Sequence, residues 1–235
     1  MKTSIMILVV VAVVSLGMMT AFNFSLKSAY LSGSYKNRFR EQTFTAGVVN
    51  EVNLTATGMH INVEHGLKEG VWVPDSFREK VLIVLKNGVL TLSAVDTAES
   101  DRHMLGGITV VTNRLNKVNM IPVVSEAVAA RGYQGTSAII TGLKTDSLTV
   151  QMADFTFLEL KSVDLKELRA VVGDEIRGNS SLSIDAGSRI GFADISVPGK
   201  STLSLSNAKI IKTRYNLGDS ATLVLNGSML KTLRN

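Results

Sequence analysis

The chain has no cysteine, which excludes disulfides, thiolate catalysis, cysteine zinc sites and the lipid-bearing cysteine of a bacterial lipoprotein. It has only 3 prolines, and aromatics make up 6% of its 235 residues, with a single tryptophan, Trp72. A core this poor in aromatics is filled by Val, Leu and Ile, which suits stacked short strands better than a helical globule. Charged residues are also scarce, at 19% against the usual share of roughly a quarter.

What charge there is leans positive, at +5. Lys and Arg are spread along the chain except for a cluster at Lys27, Lys36, Arg38 and Arg40. A basic tract beside an apolar segment points to anionic lipid head groups. No recognition motif accompanies these residues, so no nucleic-acid partner is expected.

The apolar segment runs from Ile5 to Phe22, behind Lys2. Its length is close to the ~20 residues a helix needs to cross a hydrocarbon core. It exceeds the roughly 7–15 residues of a signal-peptide apolar region. Small residues spaced for cleavage are not evident, Ser15-Leu16-Gly17 being the nearest approach. The segment reads as an uncleaved transmembrane anchor, with a removed signal sequence as the alternative. Charge leaves orientation open. The positive-inside count retains the large domain in the cytoplasm, whereas a Lys-led N-terminal apolar segment usually exports the domain attached to it. The domains expected are therefore an anchor or signal sequence over 1–22, a basic juxtamembrane linker over 23–44 and a strand-rich domain over 45–235.

That domain is read as all-β. His60-Ile61-Asn62-Val63 alternates, and Val71-Trp72-Val73 is stopped by Pro74. Lys80–Leu85 and Val89–Leu92 flank Lys86-Asn87-Gly88, the strongest short hairpin signal available. The middle, Asp96 to Thr136, is read as loops with a short strand at Ile108–Val111 and weak helical character at Val124–Ala130. The C-terminal part repeats: Ser147-Leu148-Thr149-Val150, Ser181-Leu182-Ser183-Ile184, Thr202-Leu203-Ser204-Leu205 and Thr222-Leu223-Val224-Leu225 share hydroxyl, Leu, any residue, then Leu or a β-branched residue. The starts are 34, 21 and 20 residues apart, and Leu168-Arg169-Ala170 within the long gap could begin an extra coil. Alternation puts Leu148 with Val150, and Leu182 with Ile184, on one face. A period near 20 stacks such faces into one column, with the leading hydroxyls bonding turn backbone. This is a parallel β-helix pattern. An antiparallel sandwich is the alternative, since short strands and frequent turns fit it too.

The runs Ile61–Gly66, Glu69–Val73 and Lys86–Leu92, with strands set apart by small-residue turns after them, resemble the Gram-negative family of autotransporter adhesin head domains, called GIN domains. The resemblance covers most of Asn50 to Asn235. Gly-Asn-Ser, Gly-Ser-Arg and Gly-Asp-Ser stand where many members have Gly-Ser-Gly. The resemblance implies a right-handed β-helix-like solenoid in an exported, envelope-associated protein with an adhesion role. It supplies no catalytic residues. Combined with an uncleaved anchor, it implies an inner-membrane protein whose domain faces the periplasm and binds or scaffolds.

No constellation of residues identifies a reaction. His60, His65 and His103 have few nearby acids (Glu64, Glu69 and Asp75) and read as surface or turn residues. A carboxylate pair for polysaccharide cleavage would come from Asp164, Glu167, Asp174, Glu175, Asp185 and Asp194, and stacked coils could align Asp174, Asp194 and Asp219. Solvated turn acids are the simpler reading. No Gly-x-Ser-x-Gly elbow occurs. Gly199-Lys200-Ser201 matches the end of a phosphate-binding loop, but its first glycine would fall on Asp194. The expectation is a non-enzymatic envelope protein with no catalytic, cofactor-binding or metal residues and no cofactor. Its partners are membrane lipid and an unspecified protein or glycan. The competing expectation is a glycan-binding or carbohydrate-active module on the same fold.

Overall fold

A computed structural model describes residues 2–31, 42–44, 47–95, 105–123, 135–175 and 178–227. His103, Lys36, Arg38, Arg40 and the segment Val124–Ala130 lie outside the described residues. The chain divides into two units, Met1–Glu41 and Gln42–Asn235.

The first unit is helix α1, Lys2–Leu31. It contains no proline, and its window Val10–Ser28 is long and apolar enough to cross a membrane, with side chains exposed throughout. In lipid a helix satisfies its backbone internally while presenting apolar side chains outward. Length and composition fit an anchor and a signal sequence alike. The helix runs past Phe22 through Asn23-Phe24-Ser25-Leu26-Lys27-Ser28, where the sequence suggested linker. One apolar residue per few positions keeps the stretch compatible with a helix despite its polar neighbours.

The second unit is built of strands. In chain order they are β1 (Gln42–Phe44), β2 (Glu51–Leu54), β3 (Met59–His65), β4 (Gly70–Trp72), β5 (Val81–Lys86) and β6 (Val89–Ala94). Then come β7 (Leu105–Thr112), β8 (Lys117–Met120), β9 (Thr136–Thr141), β10 (Lys144–Met152), β11 (Thr156–Lys161) and β12 (Asp164–Val172). The last are β13 (Ser181–Ile184), β14 (Arg189–Val197), β15 (Thr202–Ser206), β16 (Lys209–Leu217) and β17 (Thr222–Asn226). They form two sheets. One has nine strands in the order β1-β4-β7-β3-β9-β11-β13-β15-β17, the other eight in the order β16-β14-β12-β10-β8-β2-β6-β5.

From β8 onward the chain alternates between the sheets, and from β10 onward each strand lies parallel to the strand two before it. The antiparallel pairs are β1 with β4, β4 with β7, and the β5–β6 hairpin. That hairpin turns at Asn87 and Gly88, both with positive φ (52° and 79°), as an Asn-Gly two-residue turn requires. The earlier strands join the same two sheets out of chain order. Strand β2 lies between β6 and β8, and β3 between β7 and β9.

Strict alternation fills the space between the sheets. In the nine-stranded sheet Ala138, Leu158, Leu182 and Leu203 form one buried row, and Ile140, Leu160, Ile184 and Leu205 the next. Leu148, Leu168 and Ala193, with Val150, Ala170 and Ile195, face them from the eight-stranded sheet. Burying each such Leu or Ile contributes about 1.5–3 kcal/mol before entropy is counted. Trp72, the single tryptophan, is buried at the other end of the nine-stranded sheet, in β4.

Two sequence expectations about the repeat need correction. Ser147–Val150 does not belong with the other three units. It lies on β10 in the eight-stranded sheet, while the register partner of Ser181 is Phe157. Phenylalanine at the hydroxyl position hid that unit. Secondly, the hydroxyls that bond turn backbone sit one position earlier than the row of Phe157, Ser181 and Thr202. Thr156 and Ser180 each donate to the Ala153 carbonyl at 2.7 Å, and the Ser180 amide donates to the Ser201 hydroxyl at 3.2 Å. Ser181, Thr202 and Thr222, the residues read from the sequence, point outward instead, because alternation gives neighbours opposite faces.

Candidate binding faces

The outward face of the eight-stranded sheet is tied up by its own charges. One row across the strands reads Glu51, Lys117, Thr149, Arg169, Asp194, Arg214. Lys117 pairs with Glu51 at 3.4 Å. Arg169 Nε donates to Glu167 at 2.8 Å. Arg214 grips Asp194 through Nε at 2.9 Å and through Nη2. Nearby, Arg189 bonds Asp164 at 3.2 Å and Lys166 pairs with Asp146 at 2.8 Å. Hydrogen bonding from Arg214 holds the Asp194 carboxyl below the usual carboxylate range. In the adjacent row Asn119 donates to Glu51 and Asn53, both at 2.7 Å, and Asn216 donates to Ser196 at 3.3 Å. This face is dominated by paired charges, although Val171 stands 44% exposed in the row of Asn119, and the Asn119 Oδ1 is buried without a partner among the described residues.

The outward face of the nine-stranded sheet is different. Its central row is His60, Ser137, Phe157, Ser181, Thr202, Thr222, and the next is Asn62, Ile139, Glu159, Ser183, Ser204, Val224. Neighbours in a row are ~4.8 Å apart, and the two rows are about 6.6 Å apart along the strands. His60 Nδ1 and the Ser137 hydroxyl share a hydrogen bond of 2.5 Å. Glu159 pairs with Lys161 at 2.9 Å, which raises the Lys161 pKa. The hydroxyls of Ser181, Ser183, Thr202 and Ser204 make no hydrogen bond within the chain among the described residues. Phe157 stands among them 44% exposed. Its ring lies over the backbone of Gly135, where any Cβ would strike it. The result is a central row of small hydroxyls around one seated aromatic ring.

The acids singled out in the sequence do not converge. Asp194 is on β14 in the charged row, Asp174 in the turn after β12 and Asp219 in the turn after β16. Asp174 and Glu175 occupy that turn, both exposed, because Gly173, at positive φ, ends β12. The close carboxylate contact is one the sequence did not flag. Asp154 accepts the amides of Asp174 at 3.2 Å and Gly178 at 3.0 Å, and its carboxyl also touches that of Asp174. Burial, then the Asp174 carboxyl, pushes the Asp154 pKa up. The folded protein thus binds this proton more tightly than the unfolded chain. Stability falls as pH rises out of the ordinary carboxylate range through the raised value. Asp154→Asn keeps the acceptor for both amides and removes the like charge. Its melting temperature should exceed that of the parent at neutral pH, and the gap should close on acidification. A gap independent of pH in thermal melts would contradict this.

His60 and His65 lie at opposite ends of β3, His60 toward Ser137 and His65 exposed. Among the described residues no group of three or more His, Cys, Asp or Glu is arranged to hold a metal ion. Gly199-Lys200-Ser201 is the turn from β14 to β15, with Ser201 buried as a backbone acceptor rather than open to a phosphate.

These features define a class: a mostly-strand protein of two parallel-rich sheets preceded by one apolar helix. No protein-family model matches the chain, and no curated protein matches it. Among solved structures it is similar to a “putative adhesin” from Bacteroides fragilis, at 16% identity over 78% of this chain and 94% of that one, with a TM-score of 0.46. It is also similar to a “putative adhesin” from Parabacteroides merdae, at 12% identity over 82% of this chain and 98% of that one, with a TM-score of 0.38.

Proposed function

We propose that the chain is a non-enzymatic cell-envelope protein of the GIN type: a right-handed β-solenoid, held at the inner membrane by an uncleaved α1, whose domain faces the periplasm and serves adhesion-related binding or scaffolding. The observation that carries this reading is the alternation of parallel strands between two sheets from β8 to β17. It gives long side faces without needing a pocket. The sequence resemblance over Asn50 to Asn235 and the exposed apolar window Val10–Ser28 support the family and the anchor respectively. A solenoid suits extended partners because its face grows with each coil while its core stays closed.

Fractionation tests the anchor. The protein should stay with membranes through alkaline carbonate and leave them only in detergent, at the mass of the uncleaved chain. Protease added to spheroplasts should digest the domain, while intact cells should protect it. Protection in spheroplasts would place the domain in the cytoplasm and end the envelope reading.

A further inference from the structure

We propose that the nine-stranded sheet binds a neutral, ribbon-like polysaccharide along the row Ser137, Phe157, Ser181, Thr202, with a sugar ring stacked on Phe157. This rests on the binding role proposed above and names its ligand class.

Three observations converge. The first is the contrast between faces. In the row from Glu51 to Arg214 on the eight-stranded sheet the charged groups are paired, from Lys117–Glu51 through Arg169–Glu167 to Arg214–Asp194. The hydroxyls of Ser181, Ser183, Thr202 and Ser204 have no such partners among the described residues, and each can both donate and accept. Sugar hydroxyls offer the same paired capacity, so the two surfaces are complementary.

The second is Phe157. An exposed aromatic in a row of small polar side chains presents an apolar ring face, and the C–H face of a pyranose is its natural counterpart. The ring is held in advance, since it rests on the bare backbone of Gly135. A pre-positioned ring loses little freedom on binding. Ser137 and Ser181 flank it in register on the two neighbouring strands, within reach of the edge hydroxyls of a stacked sugar.

The third is charge and spacing. Within the two rows that form the platform the carboxylate, Glu159, is paired with Lys161, so those rows offer no unpaired carboxylate to select an ionic polymer. The rows repeat at ~4.8 Å across strands, close to the advance per residue of an extended pyranose chain. A ribbon laid across the strands would therefore meet an equivalent rung at each sugar. A helical or branched polymer would not hold that register.

The test uses the full chain in lipid nanodiscs, avoiding sugar-headed detergents. Cello-oligosaccharides and unbranched β-1,4-linked manno-oligosaccharides are the neutral probes, and polygalacturonate is the anionic comparator. The neutral probes should bind, and polygalacturonate should bind far more weakly. Phe157→Ala should weaken binding roughly tenfold, as for loss of an aromatic anchor. Phe157→Trp should retain it and gain an emission change on adding glycan. Buried Trp72 serves as the constant signal and fold check in every variant. Ser204→Lys on the same face should also weaken binding, and Gln151→Lys on the opposite sheet should not. A natively folded parent that binds neither neutral probe overturns the proposal. So does glycan binding that is indifferent to both Phe157→Ala and Ser204→Lys. Neither result touches the fractionation outcome, so the ligand class can fail while the envelope reading stands.

Discussion

Leu182→Ala is expected to destabilise the strand domain by about 2–5 kcal/mol, the range for emptying a fully buried leucine site. Leu182 has no exposed surface and lies in register between Leu158 and Leu203. The backbone ladders on both sides fix the spacing of these rows, so the sheets cannot close over the lost methyl groups. The damage should also be directional. Each circuit leans chiefly on its neighbours, so β13 to β17 should lose protection before the strands around Trp72 do. Urea unfolding followed at Trp72 alone would understate the effect. Amide hydrogen exchange resolved along the chain measures it properly. A loss well under about 1 kcal/mol, uniform along the chain, would mean that Leu182 does not sit in a sealed row.

Gly199→Ala is expected to be comparably harmful for the opposite reason. A Cβ at Gly199 would collide with the carbonyl oxygen of Asp174, one circuit earlier, and would crowd the Glu175 backbone at 3.2 Å. The obstacle is main chain on both sides, so relief requires separating two circuits at a corner. Overpacking of this kind costs roughly 1–3 kcal/mol, and more where nothing can yield. Gly106→Ala is the comparison: among the described residues nothing lies within 4 Å of its added Cβ. That variant should stay within about 0.5 kcal/mol of the parent. Thermal melts of the pair would decide the matter, and equal effects at the two positions would contradict the corner packing.

Much of the architecture was legible because period-two alternation is local. Leu148 with Val150, and Leu182 with Ile184, were assigned to a buried face and lie there. The Asn87-Gly88 hairpin carried its own turn chemistry. What escaped the sequence was pairing between distant segments. Nothing in Lys117–Met120 announces a strand, yet it fills the place between β2 and β10. Phe157 broke the hydroxyl pattern, so the unit containing it was missed and Ser147 was put in its place. The same phenylalanine is the most distinctive residue of the candidate face. The repeat was obscured where the outward surface departs from uniform hydroxyls. Asp174, Asp194 and Asp219 were brought together by counting alone, and the register separates them because circuits differ in length: Arg189 meets Asp164 across 25 positions and Arg214 meets Asp194 across 20.

The placement of β2 and β3 has a kinetic consequence. Both leave the ribosome early, yet each is enclosed on its two sides by strands made later, β6 and β8 for one, β7 and β9 for the other. Contacts of such long sequence separation form slowly, because loop closure precedes any reward. The circuits from β10 onward need only neighbours about one turn away and can assemble by simple accretion. The slow step of folding therefore belongs to the N-terminal half, where two nascent strands wait with open edges until Thr141 has been added.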